Sequence, residues 1–281
     1  MTSHPHKYVF DLDANVVLPN RGKLGNEQRA KALRMLGEDD LPLHLATVLG
    51  DCEHFIFPGF YALFRWLHSC GHEIHFFSSA VKPRNAELVP ILLERAFGVK
   101  RAQTMLPAVK IASRPDLFDA EIALRNANHM PENQGLSREE IKAKIMPPLH
   151  GNMKKRMTGV LCTPEELPDT LLLEDDSSYM AKGEEYNIVV TRGSDYSIGD
   201  EYAQLNRSCF YAGLIQRIET WCKEQDKPLV EGAKYWQFTN RNLVLDKNFF
   251  YRTCDDKSYY AEGFEILRRF EPKLQLYPEK F

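Results

Sequence analysis

Short apolar runs that stop at acidic or hydroxyl residues set the rhythm of this chain, and helical periodicity fills the gaps between them. Lys7–Phe10 (KYVF) stops at Asp11 and Asp13, Glu73–Phe77 (EIHFF) at Ser78 and Ser79, and Thr170–Leu173 (TLLL) at Glu174, Asp175 and Asp176. Asn187–Thr191 (NIVVT) is a fourth run, and Val109–Ala112 a shorter candidate. Apolar runs of this length, bounded by turn residues, predict buried strands of a parallel sheet. Pro58 and Gly59 open a predicted helix over Phe60–Ser69, with Phe60, Leu63, Phe64 and Leu67 on one face and Gly71 at its end. Asn85–Ala96 and Asp116–His129 read as further helices, followed by a polar loop over Met130–Gly135. Ser137 and Glu140 form a capping box for a helix over Glu139–Met146. Lys154 and Lys155 fall in a short helical stretch after Gly151. Asp200–Gln225 contains one long helix, with Tyr202, Leu205, Cys209, Leu214, Ile218 and Trp221 as packing residues.

Strands alternating with helices predict an α/β fold: a Rossmann-like, mainly parallel sheet with helices on both faces. Two segments interrupt the alternation, at about 14–56 (with weak helical periodicity over Asn26–Leu36) and 101–150. They are expected to be cap or insert segments on a core spanning 1–199. Residues 200–281 form a C-terminal helical extension expected to pack on that core. In such sheets ligands sit beyond the carboxyl ends of the strands. Three of the four best strands end there in hydroxyls or carboxylates, so the predicted topology and the candidate chemistry coincide.

Charge and cysteine usage narrow the setting. The net charge of −3 over 281 residues excludes a strongly basic nucleic-acid binder, although Arg84, Lys100, Arg101, Lys110 and Arg114 leave room for a local basic patch. No apolar run approaches the ~18 residues that span a bilayer. The first ten residues carry no basic segment leading into an apolar one, so no secretory signal is expected there. The six cysteines include no C-x-x-C pair and read as reduced, packed thiols, which predicts a cytoplasmic protein.

Each polar strand end has a functional and a structural reading. Asp11 and Asp13, one residue apart beyond a buried strand, repel if both are ionised, and a divalent cation removes the repulsion. Alternatively they are turn residues. Ser78 can hydrogen-bond a phosphate oxygen or cap the following helix. Glu174-Asp175-Asp176 can hold a metal or form an Asx turn ahead of Ser177 and Ser178. Lys154 and Lys155 form a solvated face unless the other three elements need a cation.

The ordered set resembles the haloacid dehalogenase-like superfamily, whose members are mostly Mg²⁺-dependent phosphatases. Phe10-Asp11-Leu12-Asp13 is similar to its first motif and Ser78 to its second. Lys154 or Lys155 matches its third, and Glu174-Asp175-Asp176 its fourth. The likeness spans about residues 7 to 192. A narrower likeness, to phosphatases of the RNA polymerase carboxy-terminal domain, rests on Phe57-Pro58-Gly59 before the second motif and Gly151-Asn152 before the lysine. The chain departs from the pattern at Ala14, where Gly or Thr is usual, and at Asn15, where Thr or Val is usual.

The resemblance implies that Asp11 attacks phosphorus to form an aspartyl-phosphate, and that Asp13 serves as general acid and then base. Ser78 and a lysine would hold the phosphoryl oxygens. Lys155 is preferred because Met157 supplies the apolar residue two positions on and shares a face of the expected helix with Met153; Lys154 stays open. Mg²⁺ would bind the Asp11 carboxylate, the Asp13 carbonyl and Asp175, with Asp176 as the alternative ligand. The expected activity is hydrolysis of a phosphomonoester, with a phosphoprotein as the favoured substrate. A nucleotide or polynucleotide end, and a catalytically silent binding protein built on the same acidic pocket, are the competing readings.

Overall fold

The computed structural model describes residues 5–19, 44–119, 127, 133–145, 153–190, 205–239 and 257–277. Its centre is strand β1 (Lys7–Phe10), every residue of which is buried. The other nine strands are β2 (Val17–Pro19), β3 (Leu45–Val48), β4 (Cys52–Ile56), β5 (Glu73–Phe77), β6 (Ile111–Ala112), β7 (Phe118–Asp119), β8 (Met153–Lys154), β9 (Thr170–Glu174) and β10 (Ile188–Val190). Four of them join β1 in one five-stranded sheet, in the order β10-β9-β1-β5-β6, with every pairing parallel. The fold is α/β and Rossmann-like, with helices flanking the sheet.

Alternation along the strands sends successive side chains to opposite faces. Tyr8, Phe10, Ile74, Phe76, Leu171, Leu173 and Val189 join the larger core. Val9, Phe77, Leu172, Ile188 and Val190 join a smaller one with Met157, Leu161 and Met180. Phe10 packs edge-on to Phe60, Phe64 and Tyr211. Burying a ring of this size contributes about 1.5–3 kcal/mol.

Seven helices are described: α1 (Phe60–Ser69), α2 (Lys82–Phe97), α3 (Val99–Met105), α4 (Arg138–Ile145), α5 (Arg207–Gln225), α6 (Leu229–Thr239) and α7 (Lys257–Leu267). The expected span of α1 matches. Gly59, with φ 76, allows the turn into it, and a Cβ there would collide with Ser208. α2 begins three residues before its predicted start, with Pro83 in the first turn where a missing N–H costs nothing. α5 packs on α1 and crosses α7 closely. At that crossing a Cβ on Gly213 would strike the Tyr259 carbonyl, and one on Gly263 the Cys209 carbonyl.

Three segments differ from or add to the expectation. The insert after residue 14 carries a three-stranded antiparallel sheet, β2-β4-β3, which the sequence pattern does not predict. Its hairpin turns at Leu49 and Gly50, both at positive φ, and a leucine there gives no turn signal. The helix expected over Asp116–His129 is not formed at its start. Ser113 caps a single 3₁₀ turn, Arg114–Asp116, and Phe118–Asp119 then pair antiparallel with Met153–Lys154. That pairing holds Lys154 in a strand, and Lys155 follows it outside any helix, so the helical stretch expected around them is absent among the described residues. The weak helix over Asn26–Leu36, the Gly151-Asn152 pair, Thr191 and Tyr202 lie outside the described residues.

Candidate active site

Register brings the polar strand ends together. Phe10 pairs with Phe76 on one side and Leu173 on the other, so Asp11 emerges beside Glu174 and one step from Ser78. The Asp11 N–H donates to the Leu173 carbonyl at 3.0 Å, which continues the ladder through the first acid. The side chains of Glu174 and Lys155 are wholly buried, and that of Asp11 is 5% exposed.

Lys155 Nζ donates to Asp11 Oδ1 at 2.6 Å and to Glu174 Oε2 at 2.6 Å. Its own segment is tied down from two sides. The Lys155 N–H donates to the Tyr179 carbonyl, and Glu184 accepts from the N–H groups of Met157 and Thr158. Lys154 points elsewhere and donates to the Ser178 carbonyl at 2.6 Å. Lys155 is therefore the lysine of the site, although the helical register used to prefer it does not exist. Lys154 lies in β8, whereas Lys155 follows the strand and reaches Asp11 and Glu174.

The acidic strand end differs from expectation in its division of labour. Asp11, Glu174 and Asp175 bring carboxylate oxygens within 4.8 Å of one another. Glu174 Oε1 also accepts the N–H groups of Asp175 and Asp176, which folds the turn around its carboxylate. Asp176, offered as a metal ligand, lies outside this group. It is exposed, and its Oδ1 accepts the Ser178 N–H in a local turn. Glu174 takes the inward place because β9 runs one residue longer than the apolar run.

A second cluster faces the first. Asp13 Oδ2 accepts from Arg84 and from the Ser78 hydroxyl. Arg84 Nη2 also reaches Ser78 Oγ at 2.9 Å, and the Ala80 N–H donates to the same oxygen. Asp13 Oδ1 and Arg84 Nη1 are buried without a hydrogen-bond partner among the described residues. The sequence pattern presents Arg84 only as one of several scattered basic residues. Its place in the first turn of α2, six residues after Ser78, is the signal that could have found it.

The loop after β1 is held by the C-terminal extension. Ala14 sits at φ 60, and its carbonyl accepts from Arg207. Asn15 donates to the Leu173 carbonyl at 2.7 Å and accepts from the Tyr211 hydroxyl. Asn15 thus ties β1, β9 and α5 together, a role that the short hydrophobic pattern around it did not reveal.

Electrostatics follow from burial and crowding. Burial pushes the Asp11 carboxyl up to about 7, with Lys155 pulling down and Asp175 and Asp13 pushing further up. Burial and the Asp11 charge hold Glu174 well above the usual carboxylate range. Burial also raises Asp175, while Arg207 offsets part of the rise. Burial opposes the Lys155 charge, yet Asp11 and Glu174 outweigh it and raise its pKa. Three crowded carboxylates facing Lys155 and Arg207 offer an all-oxygen donor set. That set fits a hard divalent cation such as Mg²⁺, which would relieve the crowding that raises their pKa values.

Among the described residues no helix is long and apolar enough to cross a membrane. No family model matches the chain, and no curated protein matches it.

Proposed function

We propose that the protein is a Mg²⁺-dependent phosphatase that hydrolyses a phosphomonoester through an aspartyl-phosphate on Asp11. The observation that carries this reading is the placement of Asp11. It is buried at the end of the central strand and bonded to Lys155, and Asp13 stands two residues on beside Ser78 and Arg84. A carboxylate held in line can act as a covalent acceptor, and positioning of this kind is worth about 7–11 kcal/mol of barrier.

Asp11 Oδ attacks phosphorus as the bond to the leaving oxygen breaks, and Asp13 delivers a proton to that oxygen. Asp13 then takes a proton from water, whose oxygen attacks phosphorus and releases Asp11. Acid–base assistance of this type contributes about 10²–10⁴-fold. Lys155, Arg84 and Ser78 supply the donors for the phosphoryl oxygens, and the unpaired Arg84 Nη1 is a free donor for one of them. Asp11, Glu174 and Asp175 would hold Mg²⁺, whose charge offsets that of the phosphoryl group. The described cysteines, Cys52, Cys70, Cys162, Cys209 and Cys222, are all free thiols, which fits a cytoplasmic setting.

The test is turnover of an aryl phosphate by the full chain. Activity should require Mg²⁺, vanish in excess chelator, and fall by about 10⁴-fold or more in Asp11→Asn. Asp13→Asn should accumulate a phosphorylated Asp11 detectable by mass. Wild-type turnover by Asp11→Asn, or a label on another residue, overturns the reading.

A further inference from the structure

The opposite end of the parallel sheet holds a second group of potential ligands that the proposed chemistry does not use. His6 immediately precedes β1, His72 immediately precedes β5, and Glu219 lies on α5. One ligand atom from each falls within 4.8 Å of the others. The two imidazoles lie nearly parallel, 5.2 Å apart at an interplanar angle of 9°. Their side chains are only partly open, at 26% exposure for His6, 12% for His72 and 19% for Glu219.

Hydrogen bonding leaves this group incompletely satisfied. His72 Nε2 lies 2.9 Å from Glu219 Oε1, yet it is buried without an aligned hydrogen bond. The same oxygen faces His6 Nδ1 at 3.4 Å and accepts from Tyr8. The far nitrogen of His6 looks toward Asp169 Oδ1 at 3.9 Å. A carboxylate behind a ligating imidazole and a hydroxyl on a ligating carboxylate are the outer partners that metal centres commonly carry. Neighbouring Lys7 is engaged with Glu166 and Glu73.

We propose that His6, His72 and Glu219 form a second divalent-metal site, of zinc type, separate from the acidic pocket at the other end of the sheet. Two imidazoles and one carboxylate suit Zn²⁺ better than Mg²⁺, which prefers oxygen ligands. The three ligands come from three segments far apart in the chain. A metal there staples the start of β1 and the turn before β5 to the C-terminal extension. The proposal stands independently of the phosphatase reading.

The experiment is Zn²⁺ titration against a chromophoric chelator, using the full chain carrying Asp11→Asn and Asp175→Asn so that the acidic cluster is disabled. The site predicts one retained equivalent of Zn²⁺ and an upward shift in melting temperature on loading. Adding His72→Ala or His6→Ala should abolish both. Should either variant fail to fold, X-ray absorption of the Zn²⁺-loaded parent reads the ligands directly, and two imidazoles are expected. No retained equivalent, an equivalent indifferent to both histidine variants, or a spectrum without imidazole overturns the proposal.

Discussion

Charge is gathered at both ends of the parallel sheet, but in opposite electrostatic conditions. At the carboxyl end, Asp11 shares its space with Glu174, Asp175 and Asp13, and burial with crowding lifts it to about 7. At the amino end, burial also works against Glu219, yet the His6 and His72 imidazoles and the Tyr8 hydroxyl around it bring its carboxyl down to about 2. Two largely buried carboxylates on one scaffold thus diverge because one is surrounded by acids and the other by donors. The carboxyl end crowds acids whose mutual repulsion a cation would relieve. The amino end joins core to extension.

Removing Lys155 should break the carboxyl end most severely. Lys155→Met leaves Asp11 and Glu174 without their shared ammonium and should cost about 3–5 kcal/mol of stability in urea unfolding, together with turnover. A variant of wild-type stability would show that the pocket is not balanced as described. Arg84→Lys keeps a positive charge but loses the fork between Asp13 and Ser78. An expected fall of about 10²-fold in kcat/KM, with thermal stability nearly kept, would place Arg84 on the reacting group.

Smaller effects sharpen the contrast. Tyr211→Phe leaves the buried Asn15 Oδ1 without its donor and should cost about 1–2 kcal/mol, read as a lowered unfolding midpoint. The smallest change is expected for Lys154→Met, since that side chain serves the Ser178 carbonyl instead of the acids. Turnover within about threefold of wild type, near 0.6 kcal/mol of barrier, is the expected result. A collapse in activity would return Lys154 to the site.

The carboxyl end was largely legible because its signals are local. Asp11, Ser78 and Glu174-Asp175 each follow an apolar run directly, and parallel pairing aligns the ends of such runs. What escaped was long-range or conformational. The helix expected around Lys154 and Lys155 is not formed, because Met153–Lys154 pair with Phe118–Asp119, far away in sequence. Glu174 does not stand out in the sequence as a group facing the pocket, because the boundary of an apolar run does not mark the last residue of the strand. Arg84 needed the position of α2, and Arg207 and Tyr211 needed the docking of α5. The amino-end cluster was invisible, since nothing near His6 in the chain points to His72 or Glu219.

Ala14 gives the docking of α5 a thermodynamic meaning. An L-residue in the left-handed region costs about 1–2 kcal/mol, and here it lies directly after Asp13. The bond from Arg207 to its carbonyl, with Tyr211 on Asn15, offsets that cost from a helix nearly two hundred residues away. The loop that presents Asp13 is therefore not self-sufficient. Its conformation is cooperative with attachment of the extension, so any event that loosens α5 is transmitted to Asp13 as a shift in loop population.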